Sequence, residues 1–184
     1  GGRTLMPGLI DAHWHTLLVR PRFTELLSID VGYVNVLATA EANTTLMRGF
    51  TTVRDVGGSP FGLKRAIDEG VIPGPRIYPS GASITVTSGH GDFRQFWELP
   101  RTIGAPMSRA EQMGASMVAD GPDEVTVRVR EQLMQGASQI KLTAGGGRRV
   151  HRSPRPRHRR DRQPHRCRQS APATAHLTDR HVGC

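Results

Sequence analysis

The feature that most limits what this chain can fold into is a break in its own composition at Gly145-Gly146-Gly147. Beyond that break, residues 148–184 contain no Phe, Tyr, Trp, Ile or Met and follow neither a strand period nor a helix period, so they cannot bury a core. Any fold must be built from the 147 residues before it. That length suffices for one domain, whereas a complete barrel of eight β/α units usually takes about 250 residues. Any barrel here is incomplete.

The same break accounts for the charge. Residues 1–147 carry 14 Lys and Arg against 14 Asp and Glu, whereas 148–184 carry 11 Arg against Asp161 and Asp179, so the whole excess of +9 lies in the last fifth of the chain. Two readings of that tail stand. It is an arginine-rich disordered arm that holds nucleic acid or another acidic partner through phosphate contacts, or it is a GC-rich gene read one base out of register, which yields this mixture of Arg, Pro, His and Ala. The abruptness of the change favours the second. With no interleaved aromatic residues, even a genuine arm would bind without base specificity, so no specific nucleic-acid partner is expected.

No apolar run approaches the roughly 18 residues of a membrane span, and no membrane partner is expected. Cys167 and Cys184 form no Cys-x-x-Cys pair, which argues against a disulfide scaffold or a zinc ribbon. The chain opens on Gly-Gly-Arg rather than Met, so it reads as a piece lacking its own start, and a preceding signal peptide is left open. A cytoplasmic location is the expectation.

Taken in order, Pro7-Gly8 is a turn that delivers the chain into a strand from Leu9 to His15. Residues 16–36 read as the loop leaving it, 37–48 as a helix stopped by Gly49, and 50–56 as a second strand closed by Gly57-Gly58. A short helix over 61–69, a third strand over 76–79 and a long glycine-studded excursion from 81 to about 119 follow. A helix over 123–135 then presents Val125, Val129, Leu133 and Met134 as its apolar stripe, and 138–144 is a fourth strand with Gln139, Lys141 and Thr143 on one face. The alternation is that of an α/β fold with parallel strands and right-handed crossovers, the first half of a (β/α)8 barrel.

The chemistry gathers at two strand ends. His13 and His15 lie one residue apart, so an extended strand points both imidazoles the same way, with Asp11 one pair further back. Such a pair can reach one metal ion, although in a chain with eight histidines it can also be two polar residues at a strand end. Lys141 is the second anchor. On the inner face of a strand an ammonium is costly unless paired or chemically altered, or unless it snorkels to the rim.

Met-Pro-Gly-Leu-Ile-Asp-Ala-His-Trp-His at 6–15, Arg-Gly-Phe-Thr-Thr-Val-Arg-Asp-Val-Gly-Gly at 48–58, Gly-Pro-Arg-Ile at 74–77 and Ser-Gly-His-Gly-Asp at 88–92 together resemble the amidohydrolase superfamily. The resemblance is to the branch of imidazolonepropionase-like enzymes and metal-dependent prolidase-like dipeptidases, and it covers residues 1–147. It implies a TIM-type barrel in which His13, His15 and a carboxylated Lys141 hold one or two divalent metal ions, zinc first among them, with carbon dioxide built into the lysine carbamate. It further implies that His90 helps hold the substrate, that the bond cut is an amide of an Xaa-Pro or Xaa-Arg dipeptide or of a cyclic amide, and that the full-length parent assembles as a homo-oligomer. The later-strand histidines and the proton-transferring aspartate of the family have no counterpart, since His151, His158, His165, His176 and His181 all fall in the tail. The expected organisation is a partial barrel over 1–147 and a disordered basic tail over 148–184, with no catalytic residue in this chain and hence no activity. The competing expectation is a non-catalytic protein acting through the tail.

Overall fold

The computed structural model describes residues 2–98 and 106–145. The tail, together with its proposed boundary at Gly147, lies outside the described residues. The element order is β1 (Leu9–Trp14), α1 (Phe23–Leu26), α2 (Val31–Met47), β2 (Phe50–Asp55), α3 (Phe61–Asp68), β3 (Arg76–Pro79), β4 (Ser83–Thr85), α4 (Arg109–Gln112), β5 (Ser116–Val118), α5 (Pro122–Met134) and β6 (Leu142–Thr143).

Every strand pairing among these residues is parallel, as β-α-β connections require. The strands form two three-stranded sheets, β1-β2-β3 and β5-β4-β6. Only residues 80–82 separate β3 from β4, so the two sheets are joined through one kinked strand. At that kink the Ala82 amide donates to Gln132 Oε1 of α5 at 2.8 Å, and the Ser80 amide donates to the carbonyl of Asp55 at 2.9 Å. The segment leading into β6 follows the same strand: Ser138 N donates to Pro79 O at 2.7 Å, and Ile84 N donates to Lys141 O at 2.9 Å. The strands thus run β1, β2, β3/β4, β6 in chain order, the arrangement of successive barrel strands.

One face of β1-β2-β3 is covered by helices. Val53 and Ile77 are completely buried there with Trp14, beneath Val34, Ala38 and Ala42 of α2 and Leu63 of α3. These apolar residues recur at strand and helix periods in the sequence, which is why the elements over 9–14, 50–55, 61–68 and 76–79 match expectation.

Four expectations are corrected. The first helix begins at Val31 rather than 37, because Asp30 caps it by accepting from Tyr33 N at 2.9 Å. Its buried stripe, Val34, Ala38, Glu41, Ala42 and Thr45, mixes polar with apolar side chains and so conceals the helical period. The excursion over 81–119 contains β4, α4 and β5; three-residue strands are too short to show alternation, but they pair in register from Ser83 with Ser116 to Thr85 with Val118. The fourth strand shrinks to Leu142–Thr143. Finally, α5 buries Arg128 and Gln132 while Leu133 and Met134 are exposed, because the Gln132 contact with the kink decides which face turns inward.

Candidate functional site

The side chains singled out in the sequence meet at one end of this sheet. His13 and His15 close β1, Val56 and Gly57 follow β2, Ser83 opens β4, His90 and Gly91 lie in the loop after β4, and Lys141 and Thr143 belong to the β6 segment. All of them line one cavity of about 300 Å³. It sits at the carboxyl ends of parallel strands, where loops rather than ladder hydrogen bonds set the chemistry, and its size suits a small ligand.

His13 and His15 do come together, with ring centroids 5.5 Å apart and planes tilted by 56°. His15 Nδ1 lies 3.3 Å from the carbonyl oxygen of Gly57. A carbonyl only accepts, so this contact puts the proton on Nδ1 and leaves Nε2 with a free lone pair. Partial burial of the His13 ring, then the positive charges of Lys141, His15 and Arg54, hold its pKa below the usual imidazole value against the opposing pull of Asp11. The His13 ring is thereby biased towards the neutral form that donates to a cation. Asp11, expected on the histidine face, does not line the cavity; its carboxylate accepts from His13 N at 2.9 Å, next to a register shift in β1.

The loop bearing His90 is tied down from both sides. Asp92 accepts from Ser88 N at 2.7 Å and from Arg94 Nε at 2.8 Å, and Arg94 Nη2 closes a second ion-pair contact to the same carboxylate. Burial alone would raise the Asp92 carboxyl, but the hydrogen bonds from Arg94 and Ser88 hold it below the usual carboxylate range. A Cβ at Gly89 would lie 2.6 Å from Thr85 Oγ1, and one at Gly91 3.0 Å from Thr143 Oγ1. The glycines flanking His90 therefore let the loop pack onto β4 and β6.

Sequence reasoning assigned no role to Asp55, Asp92 and Arg94. Asp55 could have been found: it ends β2 as an acidic residue before Gly-Gly, level with the histidines that end β1. Gln139 was placed on the Lys141 face without a role; its Nε2 donates to the carbonyls of Asp55 and Tyr78 at 3.1 and 2.9 Å, stitching the β6 segment to β2 and β3.

A second cleft, of about 470 Å³, opens between α3 and the end of α5. Its charges pair with one another along α3, Lys64 with Asp68 at 2.5 Å and Arg65 with Glu69 at 2.7 Å, as on an ordinary solvated helix face. Among the described residues no helix is long and apolar enough to cross a membrane, and no three His, Cys, Asp or Glu side chains converge as a ready-made cation site. The nitrogen-bearing side chains that line the cavity are His13, His15, His90 and Lys141.

Known proteins resemble this chain in sequence and in fold. The ochratoxinase of Aspergillus niger is 34% identical over 157 residues, which span 78% of this chain and 31% of that protein. The crystal structure of a prolidase complexed with N-methylphosphonate-L-proline superposes with a TM-score of 0.68 at 32% identity, covering 80% of this chain and 37% of the prolidase. A crystal structure of an Xaa-Pro dipeptidase with methionine bound in its active site gives a TM-score of 0.58 at 31% identity over 74% of this chain and 33% of that one. The chain thus spans about a third of the length of each of these relatives. The likeness bears out the expected α/β class and the early strands of a hydrolase barrel. The sequence profile of the amidohydrolase family matches residues 4–158, and with strands, cavity and relatives in agreement, the chain belongs to the amidohydrolase family.

Proposed function

We propose that this chain carries the metal-binding half of a hydrolase that cuts an amide bond in a dipeptide of the Xaa-Pro or Xaa-Arg type, or in a cyclic amide, and that as it stands it binds without turning over. The observation that carries this reading is the meeting of His13, His15 and Lys141 in one cavity at the carboxyl ends of parallel strands. Relatives named prolidase and Xaa-Pro dipeptidase support the substrate class.

The residues present fit a divalent cation. His15 keeps Nε2 free because Nδ1 is engaged by Gly57, and His13 faces it across 5.5 Å. Lys141 can complete the set as a carbamate: its neutral amine adds to the carbon of carbon dioxide, a C–N bond forms as one C=O π pair moves onto oxygen, the nitrogen loses a proton to solvent, and the product's two oxygens share one negative charge in place of a cation. Zinc, manganese and other divalent ions all suit imidazole and carboxylate-type donors, and zinc is the first candidate. When bound, such an ion polarises the scissile carbonyl and makes water acidic enough to attack near neutral pH.

The chain's own residues do the rest. His13 and His15 fix the position of the ion, Thr143 and Ser83 line the same cavity, and His90 on its tethered loop lines it too, where it can donate to a substrate carboxylate. No Asp or Glu lines the cavity, so among the described residues no carboxylate there takes the proton from water and passes it to the leaving amine.

Metal analysis of the 184-residue chain after incubation with zinc and bicarbonate, beside an Xaa-Pro dipeptide assay, tests this. The expected result is close to one zinc or more per chain, lost in His13→Ala and His15→Ala, reduced in Lys141→Ala and dependent on bicarbonate, with no dipeptide hydrolysis. Zinc binding indifferent to all three substitutions would refute the metal site, and turnover by the chain would refute its inactivity.

A further inference from the structure

Asp55 is completely buried, lies outside the cavity lining and takes no part in the chemistry proposed above. The hydrogen bonds of its carboxylate all go to one place. Oδ2 accepts from the backbone amide of Thr16 at 2.7 Å and from the Thr16 hydroxyl, and Oδ1 accepts from the amide of Gly57 at 3.2 Å. These two residues flank His15, Thr16 as its neighbour in sequence and Gly57 as the owner of the carbonyl 3.3 Å from Nδ1. A further backbone bond, Val56 N to Trp14 O at 2.9 Å, closes the loop between the two strand ends. The fit is tight, since a Cβ at Gly57 would stand 3.0 Å from both Cε1 and Nδ1 of the His15 ring.

A buried carboxylate is an expensive way to join two strand ends, because it must be stripped of water and a well-packed apolar contact would serve stability as well. Its hydrogen-bond pattern offers what an apolar contact cannot, a fixed orientation of the two backbones that hold His15. We propose that Asp55, with Thr16, is a positioning residue that sets the His15 tautomer, holding the Gly57 carbonyl where it accepts a hydrogen bond from Nδ1–H so that the lone pair of Nε2 is left for the cavity. The consequence for metal binding rests on the reading of His15 as a ligand; the tautomer itself does not. Partners that orient a ligating histidine in this way typically change metal affinity by about 10–100-fold when removed.

The test uses the full 184-residue chain, free of metal and labelled with ¹⁵N, and reads the His15 tautomer from long-range ¹H–¹⁵N correlations. Zinc affinity is measured in parallel by competition with a chromophoric chelator. Wild type is expected to show the proton on Nδ1. Asp55→Asn turns an amide NH₂ towards a donor, and Thr16→Val removes only the hydroxyl; both should mix the tautomers and weaken zinc by about 10-fold or more, while Thr16→Ser restores wild-type behaviour. Should Asp55→Asn not fold, the near-isosteric Thr16→Val against Thr16→Ser decides. A wild-type proton on Nε2, or a Thr16→Val chain that keeps both tautomer and affinity, overturns the proposal. If wild type binds no zinc yet Thr16→Val still shifts the tautomer, the metal reading falls and the positioning role stands.

Discussion

Alternate residues of the same strands make the two faces of the β1-β2-β3 sheet, and the two faces could hardly differ more. On the covered face Val53 and Ile77 pair across β2 and β3 with no solvent exposure to speak of. On the other, Arg54 pairs with Tyr78 and Thr52 with Arg76, and Tyr78 is 44% exposed. Parallel sheets usually have both faces covered, so an open polar face is the departure. The difference teaches how labour is divided in this fold: one face under the helices carries stability, and the other, with its cavity at the strand ends, is left free to carry chemistry.

The sharpest way to break that comparison is to truncate one residue on each face. Ile77→Ala removes a fully buried side chain from the centre of the core and is expected to cost about 2–5 kcal/mol in urea unfolding. Tyr78→Ala, its neighbour on the open face, should stay within about 0.5 kcal/mol. Equal losses would mean that the open face is a second core.

The cavity rim should fall between these extremes. Arg94→Met strands the buried Asp92 carboxylate without its ion pair and is expected to cost about 1.5–3 kcal/mol, the range for a hydrogen bond to a charged group. Amide exchange over Ser88 to Asp92 should quicken at the same time, since that carboxylate holds the loop. Unchanged protection there would show that the loop is fixed by packing on β4 and β6 alone.

A smaller effect separates charge from packing within the covered side. Burial by itself would raise the Glu41 carboxyl, but hydrogen bonds and charge from Arg20 and Arg48 hold it below the ordinary glutamate value, as Arg94 does for Asp92. A depressed folded-state pKa means that the stabilising contribution is complete above the ordinary carboxylate range and is lost as pH falls through the depressed value. The unfolding midpoint should therefore drop in acid, and Glu41→Gln should flatten that limb by lowering the midpoint more near pH 7 than in acid. An acid limb of unchanged slope in Glu41→Gln would leave Asp92 as its source.

How much of this was legible follows the same division. The covered face announced itself, since Val53, Ile77 and Leu63 recur at the periods that burial imposes, and the elements around them lie where those periods put them. His13, His15, His90 and Lys141 were legible as residue types at strand ends and in a glycine-flanked loop, and the structure gathers them in one cavity. What could not be read is whatever depends on partners distant in sequence. Asp55 becomes informative only when Thr16, 39 residues earlier, is seen against it. The strands over 83–85 and 116–118 are too short to carry a period and exist because they pair with each other. The inward face of α5 was misjudged for the same reason: Ala82, 50 residues away, takes Gln132 and turns the apolar residues outward.

That last difference yields the smallest expected effect and the finest test of the comparison. An amphipathic reading of α5 makes Leu133 and Met134 core residues, and their loss would then cost several kcal/mol. In the structure they are 51% and 82% exposed, so replacing them returns little apolar surface to water and opens no cavity. Leu133→Gln and Met134→Gln, singly or together, are expected to move the urea midpoint by no more than about 0.5 kcal/mol, because exposed helix positions respond mainly to propensity and glutamine is nearly as good a helix former as leucine. The double variant should also aggregate less, since it removes an apolar pair from the surface. A loss above about 2 kcal/mol would show that this side of α5 is packed in solution, and the division between a covered and an open side would have to be redrawn at the helix layer.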